Sequence, residues 1–305
     1  MRKNVALGII KLCFIPRSTF YVMALFSISL FFISIGSFYS LDIPSFYLLM
    51  NGIGVALIPN FGSNLWNHSN DIKEDIARGK NNVLTEGLVK RRTTIILALF
   101  LYLISIGLVF YLSLNLDRSI FAFFIIWCFV TWWYSDNLIL KSIFGFRLKD
   151  HYIGELITYS IAWPSFTLSI WLIYSDLNLK GITLALIFLF YGISGLLLKD
   201  LKDISGDREA GLKTFGVVFP PSRLLYLSSI FLIFFYISII ASTGLNIFNL
   251  GSLLVVIPFI LFMIGTFLHF HRKSWELDVE DYKPVQNMML TTYASLVLFG
   301  IGGLL

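Results

Sequence analysis

The sequence predicts an all-α polytopic membrane protein, with nine transmembrane helices in a single bundle, and three observations carry that expectation. Of 305 residues, 57% are hydrophobic and only 13% are charged, where an ordinary soluble domain has about 25% charged residues. Apolar stretches recur at close to the length of about 20 residues that crosses a bilayer. All but two of the 23 Lys and Arg residues then fall on one side of the alternation those stretches impose, as basic loops retained inside the cell do.

The stretches are about Phe20–Phe38, Ser45–Asn64, Thr93–Ser113, Ser119–Tyr134, Gly154–Tyr174, Gly181–Leu198, Leu224–Ser242, Leu250–Phe270 and Met288–Leu304. The first follows Arg17 with no small-residue cleavage pattern, so it reads as a spanning helix and not as a removable signal. Arg118 and Lys180 are the two basic residues on the opposite side. This alternation puts the N-terminus and the long loops on the cytoplasmic face of the cell membrane.

No Pro-, Gly- or Ser-rich linker interrupts the chain, so residues 1–305 read as one membrane domain with cytoplasmic motif loops at about 67–92 and 199–223. The net charge of +5 is spread through short loops. Topology accounts for it; the lipid bilayer is the expected partner and nucleic acid is not. Cys13 and Cys128 are isolated in apolar surroundings and make neither a disulfide framework nor a zinc site. The four histidines (His68, His151, His269 and His271) are too scattered to favour a haem-handling protein.

Two acidic motifs carry the chemistry. The second stretch runs into Asn64-Leu-Trp-Asn67-His-Ser-Asn-Asp71-Ile-Lys-Glu-Asp75-Ile-Ala-Arg78. On a helix that spacing stacks Asn67, Asp71 and Asp75 along one face. The sixth runs into Asp200-Leu-Lys-Asp203-Ile-Ser-Gly-Asp207-Arg-Glu-Ala-Gly211-Leu-Lys213-Thr214, which repeats the i, i+4 pair. Two carboxylates so placed repel unless a cation lies between them. One such pair at a helix end is more often a solvated face. Two copies, each at the membrane boundary and each followed by a basic residue, point instead to a metal–phosphate site. Magnesium suits it, being held by one or two carboxylates plus substrate phosphates, and Arg78, Arg208 and Lys213 are candidates to neutralise phosphate oxygens.

With these motifs the chain resembles the UbiA family of intramembrane prenyltransferases. Asn67, Asp71 and Asp75 match its first motif, and Asp203, Asp207, Arg208, Gly211, Lys213 and Thr214 match its second. Tyr134-Ser135, Arg147-Leu148-Lys149 and Gly154-Glu155 echo a third signature. The resemblance spans the whole chain and implies nine helices with motif loops after helices two and six. It departs in three loops: Gly79–Gly87 replaces a Pro-containing stretch, Asp136–Phe146 replaces a short Pro-Pro turn, and Pro16-Arg17 inverts a usual order. These loops lie near where an acceptor would enter.

The resemblance and the chemistry together imply that Asp71, Asp75, Asp203 and Asp207 hold Mg2+ against an isoprenyl diphosphate, with Asn67 orienting or ligating. Arg78, Lys149, Arg208 and Lys213 would neutralise the leaving group, and Tyr134 would hydrogen-bond it. A hydrophobic or aromatic acceptor then attacks the allylic carbon. Trp132, Trp133 and Trp163 are candidates to stabilise its cationic character, although interfacial anchoring explains such residues more simply. Glu155 reads either as a partner or acceptor-side base or as a salt bridge to Lys149. His68 reads as a surface residue, and Asp278, Glu280 and Asp281 as a solvated charge run.

An aromatic quinone precursor is the leading acceptor, with the archaeal glyceryl-ether lipid precursor as the alternative. A membrane terpene cyclase would ionise the same diphosphate without an acceptor. An ion or solute transporter would place its charges near helix midplanes, which here are almost purely apolar.

Overall fold

In the computed structural model each of the nine apolar stretches forms helix, and shorter helices fill the loops on the basic side. The structure describes residues 2–14, 19–37, 42–77, 79, 81–278 and 281–305. In chain order the helices are α1 (Arg2–Phe14), α2 (Tyr21–Ile35), α3 (Ile43–Asn70), α4 (Ile72–Ala77), α5 (Arg91–Leu116), α6 (Ile120–Ser135) and α7 (Leu140–Phe144). There follow α8 (Tyr152–Tyr174), α9 (Leu179–Glu209), α10 (Phe215–Val218), α11 (Pro221–Gly244), α12 (Leu250–Arg272) and α13 (Tyr282–Gly303). Six of them, α3, α5, α8, α9, α11 and α12, are long and apolar enough to cross a membrane. Helices α2 and α6 are equally apolar but shorter.

Local signals start the two helices that carry the motifs. Asp42 caps α3 by accepting from the Ser45 amide at 2.8 Å, with Pro44 in the first turn. Asn178 caps α9 through the Gly181 amide at 3.0 Å. Both caps occupy one orphan donor at a helix start. At 28 and 31 residues, α3 and α9 reach roughly 42–46 Å at 1.5 Å per residue. A hydrocarbon core is about 30 Å thick, so each helix overshoots it and carries its acidic motif out at the basic end.

Lipid tails are as apolar as leucine, so helices in a bilayer associate through close packing more than through water exclusion. Glycine provides that closeness here. A Cβ on Gly300 would stand 2.8 Å from the Ser29 Cα, and one on Gly303 would stand 2.7 Å from the Ile33 Cα, so α13 lies directly against the α2 backbone. The buried centre is aromatic: Phe26, Phe124 and Phe188 are wholly enclosed, and the Phe26 and Phe188 rings meet edge to face at 4.7 Å. Trp127 and Phe166 join them at 4.9 Å.

Two features depart from the sequence expectations. Helix α1 is an addition: Leu12 is buried on it, and Gly8 lies so close to Val83 that a Cβ would collide at 1.9 Å. The segment before α13 is a folded clasp, not a solvated run. Asp281 is buried and accepts from Lys273 Nζ at 2.7 Å, from the Asp278 amide at 2.8 Å and from His269 at 2.8 Å. Burial works to raise its pKa, but these donors outweigh burial and lower it to about 2. Glu280, Pro16 and Arg17 lie outside the described residues.

Candidate functional site

The first acidic motif forms where α3 breaks. Asp71 leaves helical geometry at φ −105° and ψ 17°, and α4 resumes one residue later. The amide ladder nevertheless crosses the break, from Asp71 to the Asn67 carbonyl at 2.9 Å and from Asp75 to the Asp71 carbonyl at 2.8 Å. The i, i+4 stacking of Asn67, Asp71 and Asp75 therefore survives. Asn67 accepts a short hydrogen bond from Ser135 on α6.

A second segment, residues 147–150 between α7 and α8, supplies the cations. Arg147 spans three carboxylates: Asp150 at 2.7 Å, Glu74 at 2.9 Å and Asp71 at 3.4 Å. Lys149 makes a close ion pair with Asp71. All but Asp150 are more than nine-tenths buried, and a cluster that deep persists only because its charges are matched. Burial works to raise the Glu74 pKa, but Lys149 and Arg147 outweigh it and hold the carboxyl below its usual range. Burial also pulls the Lys149 ammonium below the ordinary lysine value, against the pull of Asp71. Burial likewise opposes the charge on Arg147, but Asp150 and Asp71 more than offset it and its pKa is raised.

The second motif stays within continuous α9. Its Asp207 accepts from the Thr214 hydroxyl at 2.9 Å. The chain reverses between them through Gly211, whose φ of +72° is a left-handed value that suits glycine. It then runs beside the cation-bearing segment: the Lys213 amide donates to the Asp150 carbonyl at 3.0 Å, and the Tyr152 amide donates to the Lys213 carbonyl at 2.8 Å. Those two hydrogen bonds tie the second motif to the residues that neutralise the first.

Both motifs face one cavity of about 580 Å³. Asn67, Asp71, Asp75, Lys149, Asp207 and Thr214 line its polar end. Tyr134, Glu155 and Lys199 line it as well. Along α6 the lining passes from Ser135 to Trp127, and along α8 from Glu155 to Phe166, so the wall turns from polar to aromatic over roughly 12–17 Å of helix. Trp163 lines the apolar part and lies against Gly192, where a Cβ would meet its ring at 2.0 Å.

Of the residues singled out in the sequence, Asn67, Asp71, Asp75, Tyr134, Lys149 and Asp207 are therefore brought together. Arg208 and Lys213 have exposed side chains and do not line the cavity; Lys213 contributes its backbone instead. Arg78 and the Asp203 side chain lie outside the described residues. Trp132 packs against Trp66 with the rings tilted at 4.3 Å, and Trp133 stacks on Phe144 at 4.4 Å; of the three tryptophans Trp163 alone lines the cavity. His68 is no surface residue: it lines the cavity and pairs with Asp75 at 3.1 Å.

Glu155 does not pair with Lys149. Its Oε1 accepts from the Tyr134 hydroxyl at 3.1 Å, its Oε2 accepts from the Phe215 amide at 3.3 Å, and Lys199 stands 4.0 Å away. Lys199 was the cation missed in the sequence. Its position directly before Asp200, on the last apolar turn of α9, is the signal that marks it as an inward-facing charge.

The donor set suits Mg2+. Asp71, Asp75 and Asp207 present hard carboxylate oxygens to the cavity, and Mg2+ is usually held by one or two carboxylates together with substrate phosphates.

Comparison with known proteins agrees with this arrangement. The model of the UbiA prenyltransferase family matches residues 23–291. An uncharacterized protein of Archaeoglobus fulgidus is 32% identical over 297 residues, covering 96% of this chain and 98% of its own. A digeranylgeranylglyceryl phosphate synthase of Methanosphaera stadtmanae is 25% identical over 257 residues, 83% of this chain and 88% of its own. Among solved structures, one from work on digeranylgeranylglyceryl phosphate synthase in membranes superposes with TM-score 0.69 at 18% identity, covering 100% and 99% of the two chains. A UbiA homolog of A. fulgidus bound to GPP and Mg2+ superposes with TM-score 0.63 at 13% identity, covering 96% and 98%.

Proposed function

We propose, for a chain that belongs to the UbiA prenyltransferase family and is thereby a membrane-embedded prenyltransferase, that it transfers a long isoprenyl group from its diphosphate to the free hydroxyl of a prenylglyceryl phosphate. The observation that carries the reading is one cavity joining two acidic helix ends to a deep aromatic wall. Such a cavity suits an amphiphile with a diphosphate head and a hydrocarbon tail. The glyceryl-ether acceptor is supported by the synthase of M. stadtmanae and by the fold neighbour from work on the same enzyme. The aromatic quinone precursor that led the sequence reading has no matching relative among these.

In this reading Asp71, Asp75, Asp203 and Asp207 hold Mg2+ and Asn67 orients or ligates. Bound there, the metal supplies Lewis-acid stabilisation of the charge that grows on the leaving diphosphate. Lys149 neutralises that group from within the cavity, backed by Arg147, and Arg78 adds charge. Tyr134 supplies a hydroxyl at the boundary between head and tail. Ser135 fixes the Asn67 amide, and Thr214 fixes Asp207. The tail lies along Trp127, Trp163 and Phe166, which exclude water from the allylic carbon.

Residues 1–305 work as one domain in this proposal. Nine spans arise from the six long helices together with α2, α6 and α13. The clustering of basic residues at the motif end supports a cytoplasmic position for that end and for the N-terminus.

The test is a transfer assay in nanodiscs with labelled geranylgeranyl diphosphate, Mg2+ and an acceptor panel of geranylgeranylglyceryl phosphate, dihydroxynaphthoate and hydroxybenzoate. A Mg2+-dependent ether product supports the reading. Prenylation of an aromatic acceptor alone would replace the acceptor class, and diphosphate release without any acceptor would indicate a cyclase.

A further inference from the structure

Whatever the acceptor, its attacking group arrives with a proton and the product lacks it, yet nothing in the diphosphate machinery accounts for that proton. Asp71 and Asp75 are committed to cations and to the metal, and Lys149 to the leaving group. Glu155 has no such duty. It lines the cavity from the first turn of α8, is 1% exposed, and sits where the wall passes from polar to aromatic.

Its surroundings are those of a carboxylate kept oriented but not saturated. The Tyr134 hydroxyl holds one oxygen and the Phe215 amide holds the other. The Asp200 carboxyl on α9 also meets Glu155, as a hydrogen-bond partner and a like charge, so a proton is readily held at this pair. The Tyr134 hydroxyl also accepts from Lys199 Nζ at 2.8 Å. The ammonium stands 4.0 Å from both Glu155 and Asp200, where it offsets the carboxylate charge without forming the tight pair that would quench its basicity. Tyr159 completes the group, its ring lying 6.4 Å from that of Tyr134.

We propose that Glu155, held by Tyr134 and the Phe215 amide beside Lys199, accepts the proton of the acceptor as it is alkylated. The proposal rests on the prenyl-transfer reading above. For an alcohol acceptor the oxygen lone pair forms the new bond to the allylic carbon. The carbon–oxygen bond to diphosphate breaks, and its electron pair leaves with the diphosphate. The hydroxyl proton passes to the Glu155 carboxylate and is later released to water. No oxidant or reductant enters the balance.

The test uses full-length protein in nanodiscs with geranylgeranyl diphosphate, Mg2+ and geranylgeranylglyceryl phosphate, and compares wild type with Glu155→Gln and Tyr134→Phe. Glutamine keeps the shape and can still accept from the Phe215 amide, with its NH2 donating to the Tyr134 hydroxyl in place of the reverse bond, but it cannot take the proton. Its single-turnover transfer rate should fall by about 10²–10⁴-fold, the usual worth of a positioned base. Prenyl-diphosphate affinity should stay within roughly 3-fold, since only transition-state contacts are lost. The wild-type rate should rise with pH through one ionisation at the acid side, and Glu155→Gln should lack that limb. Tyr134→Phe removes a hydrogen bond that favours the carboxylate, so it should move the limb to higher pH.

Transfer by Glu155→Gln at close to the wild-type rate would overturn the proposal. Equal losses of diphosphate binding and transfer would overturn it too, by showing a merely structural role. Should Glu155→Gln not fold, an unmoved acid limb in Tyr134→Phe would serve the same purpose. Wild-type protein that binds no prenyl diphosphate would defeat the functional reading itself, and this result is separable because binding is measured without acceptor.

Discussion

The two acidic motifs share a spacing and differ in how the fold holds them. In the first the helix breaks at Asp71, and the carboxylates sit in a buried lattice with Arg147, Lys149 and His68. In the second the helix runs on, and Asp207 is steadied by the neutral Thr214 hydroxyl. The contrast shows that one ligand pattern imposes two different energetic demands. Buried charge needs matched charge in return, and the first motif meets that need across the chain, through Arg147 and Lys149. The second has a local hydrogen bond from Thr214, seven residues on, so the first motif does more to tie distant parts of the chain together.

Substituting the two aspartates alike separates these roles most sharply. Asp71→Asn leaves Lys149 buried without its carboxylate and should cost about 3 kcal/mol, the scale of a broken buried pair, as well as abolishing turnover. Asp207→Asn keeps an acceptor for Thr214, so it should lose turnover while costing less stability than Asp71→Asn. Thermal unfolding in detergent beside the transfer assay measures both, and equal destabilisation would erase the distinction.

Arg147→Lys sharpens it further. A lysine keeps the charge but cannot span Asp150, Glu74 and Asp71 as a planar fork does. A loss of about 2 kcal/mol is expected, within the range for imperfectly satisfied buried charge, read as a lowered unfolding temperature. Thr214→Val, on the other side, should cost about 1 kcal/mol or less and raise KM for the prenyl diphosphate a few-fold. A larger effect on stability than that of Arg147→Lys would reverse the assignment of roles.

Asp281 gives the smallest effect and a control away from the site. Its pKa is lowered to about 2 in the folded protein, against about 3.9 unfolded. The stability it contributes is therefore present above about pH 4 and lost as pH falls towards 2. The gap in unfolding temperature between wild type and Asp281→Asn should be constant from pH 8 to 5 and shrink below about 4. A gap undiminished at pH 2.5 would contradict the shift.

Much of this was legible in the sequence, because apolar runs and i, i+4 aspartates are local signals. Every long helix coincides with a stretch of apolar residues, and Asn67, Asp71, Asp75 and Asp207 were placed by spacing alone. What escaped depends on pairings across the chain. Arg147 meets Glu74 over 73 residues, and Lys199 meets Tyr134 over 65; no periodicity announces either. His68 was misread because only the i, i+4 row through Asn67 was followed; seven residues on from His68, Asp75 lies two turns away on nearly the same helix face. Arg208 and Lys213 follow the motif in sequence, but Arg208 on the last turn of α9 and Lys213 after the turn at Gly211 both have exposed side chains, so proximity in sequence did not become proximity at the cavity.

The central claim is that the two helix ends act together, sharing one metal-bound diphosphate. Mn2+ in place of Mg2+ makes this visible by electron paramagnetic resonance in wild type, Asp71→Asn and Asp207→Asn. The account predicts little Mn2+ binding alone, binding once geranylgeranyl diphosphate is added, and loss of that signal in either variant. Tight Mn2+ binding without diphosphate, or a diphosphate-dependent signal that survives both substitutions, would contradict it.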